Sequence, residues 1–173
     1  MSSRAFLAVL AVLAVIGLLG YGLLSKGEAK IAIGDPVPDR ELPLLRGDGQ
    51  RSIADYRGRW VLVNLWASWC TPCRQETPAL ERFWRRRRGR DLTVLGIDVQ
   101  DNSDDALSFL RSNPTTYPQL RSVGDERSAA FGSTGVPENF LVDPRGRLAL
   151  IWRGPVDDRF IREHVAPMVE GPR

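Results

Sequence analysis

The chain has 173 residues, 43% of them apolar and 26% charged, a composition that excludes a disordered chain and fits one ordinary domain with a short addition. A net charge of +3 is small for a nucleic-acid binder, two cysteines exclude a disulfide-framework fold, and a single histidine all but excludes His-based metal sites and catalytic relays.

Residues 1–4 are a short tail. Residues 5–24 hold 17 apolar side chains and three glycines and carry no charge. A helix of that length spans about 30 Å, the hydrocarbon core of a bilayer, so the run reads as a single transmembrane anchor. Gly17, Gly20 and Gly22 are tolerated in such helices, and Tyr21 sits where an interfacial aromatic belongs. A cleaved signal peptide is the rival reading; the run is long for one, and Gly27-Glu28-Ala29 is a poor cleavage site. Residues 25–33 read as a tether and residues 34–171 as the folded domain. The cations flanking the run are nearly balanced, so they do not set its orientation.

Within the domain, residues 42–45 and 51–53 flank Arg46-Gly47-Asp48-Gly49, a hairpin signal with Asp-Gly as the turn. Residues 60–66 are almost continuously apolar and read as a central strand covered on both faces. Pro72 opens a helix to about Arg87, with Leu80, Phe83 and Trp84 at helical spacing. Residues 92–99 form a second buried strand. Ser103 or Asp104 caps a helix that runs to about Asn113, ahead of Pro114. Residues 140–142 and 148–152 are strands joined by Asp143-Pro144-Arg145-Gly146, a turn sequence. Asp157 or Asp158 caps a last amphipathic helix with Phe160, Ile161 and Val165. The order predicts an α/β fold: a mixed β-sheet flanked by helices, with an N-terminal hairpin extension.

Trp69-Cys70-Thr71-Pro72-Cys73 lies where a buried strand gives way to a helix. The partial positive charge and free N–H groups of a helix N-terminus favour a thiolate at Cys70. The two-residue gap places Cys73 one turn in, within reach of the first sulfur. Thr71 and Pro72 supply the turn, and the missing N–H of Pro72 costs nothing there. This arrangement suits thiol–disulfide exchange, with Cys70 attacking a partner disulfide and Cys73 resolving the mixed disulfide. A structural zinc site would need about four ligands, and the chain offers only Cys70, Cys73 and a distant His164; no metal is expected. An inert bridge over two residues would constrain almost nothing.

Residues 61–76, Val-Leu-Val-Asn-Leu-Trp-Ala-Ser-Trp-Cys-Thr-Pro-Cys-Arg-Gln-Glu, resemble the thioredoxin-like proteins of the TlpA/ResA type. Gly135-Val136-Pro137-Glu138-Asn139-Phe140 resembles a second signature of that superfamily. The group most similar is that of the membrane-anchored thiol:disulfide interchange proteins of cytochrome c maturation, CcmG/DsbE. The resemblance covers about residues 34–170 and extends to the anchor.

The resemblance implies an extracytoplasmic (periplasmic) thiol:disulfide oxidoreductase, a monomer on a single-pass anchor in the cell membrane. It would act as a reductant on protein thiols and disulfides such as those of apocytochrome c, and a membrane thiol donor would recycle it. It implies no cofactor beyond the Cys70–Cys73 disulfide and no nucleic-acid partner. Pro137 matches a cis-proline packed on the disulfide, and the backbone of Val136 would pair with an extended substrate segment. Glu76 matches an acidic residue beside the site, one turn past Cys73. Partly buried, it would exchange a proton with Cys73; on the surface, it would merely pair with an arginine. Asn64 departs from thioredoxin, which has a buried Asp there, and this gives Glu76 more weight. Catalytic roles are thus expected for Cys70, Cys73, Glu76 and Pro137, and partner contacts for Trp69, Thr71, Pro72, Val136 and Glu138. Trp69 would shield the disulfide, while Trp66 would be core. Arg82, Arg85–Arg88 and Arg90 read as a solvated helix end, with anionic lipid as the alternative. Other functions remain open: a disulfide-forming oxidase, a non-catalytic assembly module of the same fold, or a peroxidase. The intact cysteine pair argues against the module, and the absence of a Thr-x-x-Cys site argues against the peroxidase.

Overall fold

The computed structural model describes residues 12–18, 20, 31–122, 124 and 131–171. Of the expected anchor, residues 12–18 and 20 are helical, with Leu13, Ile16 and Leu18 exposed; the rest of the run and most of the tether lie outside the described residues. Among the described residues no helix is long and apolar enough to cross a membrane.

The hairpin extension is present, as β1 (Leu42–Pro43) and β2 (Gln50–Arg51). The apolar run becomes β3 (Trp60–Trp66), followed by α1 (Thr71–Arg87), β4 (Leu92–Asp98) and α2 (Ser103–Ser112). Then come β5 (Gln119–Arg121), β6 (Glu138–Val142) and β7 (Leu148–Arg153). The chain ends in α3 (Asp158–Phe160), a π turn (Ile161–Val165) and α4 (Ala166–Glu170). Strand β5 was not expected from the sequence. The cap of α2 is Asn102, whose side chain accepts from the Asp105 N–H at 2.9 Å, rather than Ser103 or Asp104. Asp157 caps α3 through the Phe160 N–H at 2.7 Å.

The five-stranded sheet has the order β5-β4-β3-β6-β7. β3, β4 and β5 are parallel, while β6 and β7 run antiparallel, so the sheet is mixed as expected. Strand alternation sends Val61, Val63 and Leu65 to one face, under Leu42, Ile53 and Phe131. Leu62 and Trp66 point to the other, under the helices, where they meet Leu80 and Phe83 of α1 and Phe109 of α2. Asn64 shares that second face and sets a polar group beneath α1. The hairpin closes against the sheet edge, where Leu45 N–H donates to the Gln119 carbonyl at 2.9 Å.

Gly96 leaves room for a buried side chain. A Cβ there would lie 2.0 Å from Gln119 Oε1, the atom that accepts from Trp66 Nε1 at 2.9 Å. Parallel β4 and β5 place Gly96 opposite Gln119, so the missing side chain makes room for the amide that orients Trp66.

Candidate active site

The ends of β3 and β4 and the start of β6 lie side by side where β3 passes into α1. Cys70 is the N-cap of α1, and the Cys73 N–H donates to Cys70 Sγ at 3.1 Å. One free N–H of the helix start therefore points at the first sulfur. The two sulfurs are joined in a disulfide, with the Cα atoms 5.3 Å apart. Both residues are buried, Cys70 with 3% and Cys73 with 1% of its surface exposed, among Trp66, Ala106, Phe109 and Leu110. Cys70 is thus less open than a reading of the helix start suggests. The exposed neighbours are Trp69, 60% exposed, with Thr71 and Pro72.

Trp69 is held in place by its Nε1–H, which donates to the Gln100 carbonyl at 3.1 Å. The preceding Ser68 is fixed by Asp101, which accepts from its N–H at 2.5 Å and its hydroxyl at 2.9 Å. Trp66 is core, stacked on Phe109 with ring centroids 4.7 Å apart. The Val136–Pro137 peptide bond is cis, and Val136 packs against the apolar cluster that holds both cysteines.

Glu76 is not a surface residue; it is 1% exposed. One carboxylate oxygen accepts from Asn64 Nδ2 at 2.7 Å, the other from Asn139 Nδ2 and the Val156 N–H, each at 3.0 Å. Burial raises its pKa to about 7, against the opposing pull of the three donors. Asn64, which replaces an acid in the comparison with thioredoxin, thus serves as a donor to the acid one helix away. Asn139 and Val156 carried no signal of their own, since they lie 63 and 80 residues from Glu76 in the chain.

Glu138 was expected to meet the partner. Instead it is 2% exposed, and its Oε1 accepts from the Thr134 N–H and hydroxyl, both at 3.0 Å, and from Arg153 Nη1 at 2.8 Å. β6 is buried on both faces, so Glu138 holds the loop that leads to Val136–Pro137 rather than presenting a carboxylate to solvent. His164 is exposed in the π turn, and among the described residues no three His, Cys, Asp or Glu side chains are grouped to hold a metal ion.

A second buried acid ends β4. Asp98 is 1% exposed, neither carboxylate oxygen has a hydrogen-bond partner, and Arg121 Nε stands 4.0 Å away. Burial, then the Asp101 carboxylate beside it, pushes its pKa up to about 8, with Arg121 pulling the other way. A pKa raised on folding contributes stability that is full below the unfolded value and is lost as pH rises through the folded one. Asp98→Asn is therefore expected to raise stability at pH 9 by more than ~1 kcal/mol and to raise it by clearly less at pH 5. Urea unfolding at the two pH values checks this; an equal effect at both would mean that Asp98 is already ionised and paired in the fold.

A parallel β3–β4 pair, a Cys-x-x-Cys disulfide at a helix N-terminus and a cis-proline preceded by a valine packed on the cysteine cluster define a thiol:disulfide oxidoreductase of the thioredoxin class. The chain belongs to the AhpC/TSA family, whose model matches residues 33–151. It is similar to the thiol:disulfide interchange protein HelX of Rhodobacter capsulatus, with 34% identity over 80% of this chain and 77% of that one. It is also similar to the thiol-disulfide oxidoreductase ResA of Geobacillus thermodenitrificans, with 27% identity over 85% and 86%. Among solved structures, a thioredoxin-family thiol:disulfide interchange protein from Chlorobium tepidum TLS superposes with a TM-score of 0.68 at 27% identity, covering 81% of this chain and 99% of that one.

Proposed function

We propose that this oxidoreductase is a reductant of the cytochrome c maturation type, held at the outer face of the cell membrane by residues 5–24. In this reading Cys70 attacks the disulfide of an apocytochrome c or a similar partner and Cys73 releases the product. A membrane thiol donor then reduces the Cys70–Cys73 bridge again. Trp69, Thr71 and Pro72 form the docking rim, and the backbone of Val136, next to Pro137, pairs with the extended partner segment. Glu138 acts indirectly, by fixing the Thr134 loop.

The observation that carries the exchange chemistry is a buried carboxylate, accepting from Asn64, Asn139 and the Val156 N–H, one helical turn from a resolving cysteine that is itself in apolar surroundings. Such surroundings disfavour a thiolate, so Cys73 needs a proton acceptor at hand before it can attack. The HelX and ResA relatives support the class of reaction, and the uncharged apolar run supports the anchor.

The reduction potential of the Cys70–Cys73 pair tests the direction. A value near about −270 mV, that of thioredoxin, is expected; a value near about −120 mV would make the protein a disulfide-forming oxidase.

A further inference from the structure

The end of the domain opposite the disulfide is basic, and it is the end at which the chain enters. The starts of β3 and β4 meet there, with Trp60 N–H donating to the Asp91 carbonyl at 2.8 Å, and the β6–β7 turn joins them through Gly58 N–H and the Pro144 carbonyl at 2.9 Å. Residues 34–37 lie along the same turn: Gly34 N–H donates to the Leu148 carbonyl at 2.7 Å and Val37 N–H to the Gly146 carbonyl at 3.0 Å. Six exposed arginines surround this end: Arg57, Arg59, Arg88, Arg90, Arg145 and Arg147. Arg59, Arg88, Arg90 and Arg145 make no ion pair among the described residues.

The arginines outnumber the nearby carboxylates, Asp35, Asp39, Asp55, Asp91 and Asp143, each of which is held within the chain; Asp55 Oδ2 accepts from the Ser52 N–H at 3.0 Å. Asp143 Oδ1 accepts from the N–H groups of Arg145 and Arg147 at 2.9 and 2.8 Å, Asp91 pairs with Arg87 at 3.0 Å, and Asp35 accepts from Ala32 N–H at 2.9 Å. Asp39 lies 3.8 Å from Arg57. The 17 residues of α1 separate the basic end from Cys70 by about 25 Å.

We infer that this arginine-rich end docks on anionic lipid headgroups and so points the disulfide away from the bilayer. The inference rests on the membrane-anchored reading of residues 5–24. The tether, residues 25–33, reaches at most ~30 Å when extended, so the end that receives it is held within that distance of the membrane. Cations in that position are drawn to an anionic surface, and arginine matches a phosphate oxygen pair with two parallel N–H donors. The docked geometry leaves Trp69 and the Val136–Pro137 edge facing the compartment where protein partners approach.

The test uses the full chain in lipid nanodiscs of phosphatidylcholine alone or of phosphatidylcholine with phosphatidylglycerol, with amide hydrogen exchange as the readout. Exchange at residues 57–59, 88–91 and 143–147 is expected to slow by about fivefold or more in the anionic discs and to recover in about 0.5 M salt. Replacing Arg59, Arg88, Arg90 and Arg145 with Glu is expected to abolish the lipid dependence and leave disulfide reduction by a small thiol unchanged. If that variant does not fold, Gln at the same four positions serves. Equal exchange in both discs overturns the inference, and so does protection by an oligonucleotide but not by anionic lipid. Retention on the neutral discs reads the anchor separately. A chain retained only by anionic discs would defeat the anchor and keep the docking; one retained by neither would defeat both.

Discussion

Cys70→Ser is expected to reduce thiol–disulfide exchange with protein partners to the uncatalysed background, while Cys73→Ser is expected to complete the first step and stall. In the reductive direction the Cys70 thiolate forms a bond to one partner sulfur and the partner disulfide breaks. Its second sulfur leaves as a thiolate and takes up a proton. The deprotonated Cys73 then bonds to Cys70, the mixed disulfide breaks, and two electrons have passed to the partner. Two features assign the order. The Cys73 N–H points at Cys70 Sγ, so the helix start stabilises negative charge on the first sulfur. Cys70 caps the helix beside the exposed Trp69, Thr71 and Pro72, whereas Cys73 lies one turn inside it and is 1% exposed. Non-reducing electrophoresis and mass spectrometry of the Cys73→Ser protein with partners should therefore show stable mixed disulfides through Cys70, and Cys70→Ser should show none. Equal trapping by the two variants would remove the assignment.

The second large effect concerns Glu76. Glu76→Gln is expected to slow exchange by up to about 10²-fold and to remove an inflection near pH 7 from the rate profile. The low end of general acid–base catalysis applies because the helix already favours the Cys70 thiolate. The variant also tests linkage. The folded pKa of Glu76 is raised from the ordinary value of 4.5 to about 7, so the protonated carboxyl contributes stability that is full below about pH 4.5 and is lost as pH rises through 7. The Gln protein should lack that part of the pH dependence of stability. It meets a local cost, because Asn64, Asn139 and Val156 present three donors to the carboxylate and one of them will face the new NH₂ group. Rotating the Asn64 or Asn139 amide limits the loss to about 1–2 kcal/mol. Stopped-flow rates and urea midpoints between about pH 5 and 9 check both statements. A rate profile identical to that of the parent would show that Cys73 exchanges its proton with water.

The class of fold and the redox pair were readable in one dimension because their signals are local. A continuous apolar run marks β3, Pro72 after Cys70 marks a helix start, and a two-residue spacing brings two sulfurs together whatever lies around them. The turn Asp143-Pro144-Arg145-Gly146 placed β6 and β7 for the same reason. Strand β5 left no such mark: it has three residues, too few for a period, and it exists because β4 offers it an edge. The cap of α2 moved to Asn102 because several neighbouring side chains can cap, and the path of the chain from β4 selects among them.

The electrostatics of the site belong wholly to the tertiary structure. In the sequence, Gln75-Glu76-Thr77 is a polar stretch that could equally face water. Its burial is set by β3, β6 and the segment after β7, which bring Asn64, Asn139 and the Val156 N–H from 12, 63 and 80 residues away. Glu138 turned inward for a similar reason, since Thr134 and Arg153 meet it only when β6 pairs with β7. The cost of a charge depends on what surrounds it in three dimensions, and so the sequence could name the acids beside the disulfide but only the packed sheet decided that Glu76 is enclosed away from water with its pKa raised.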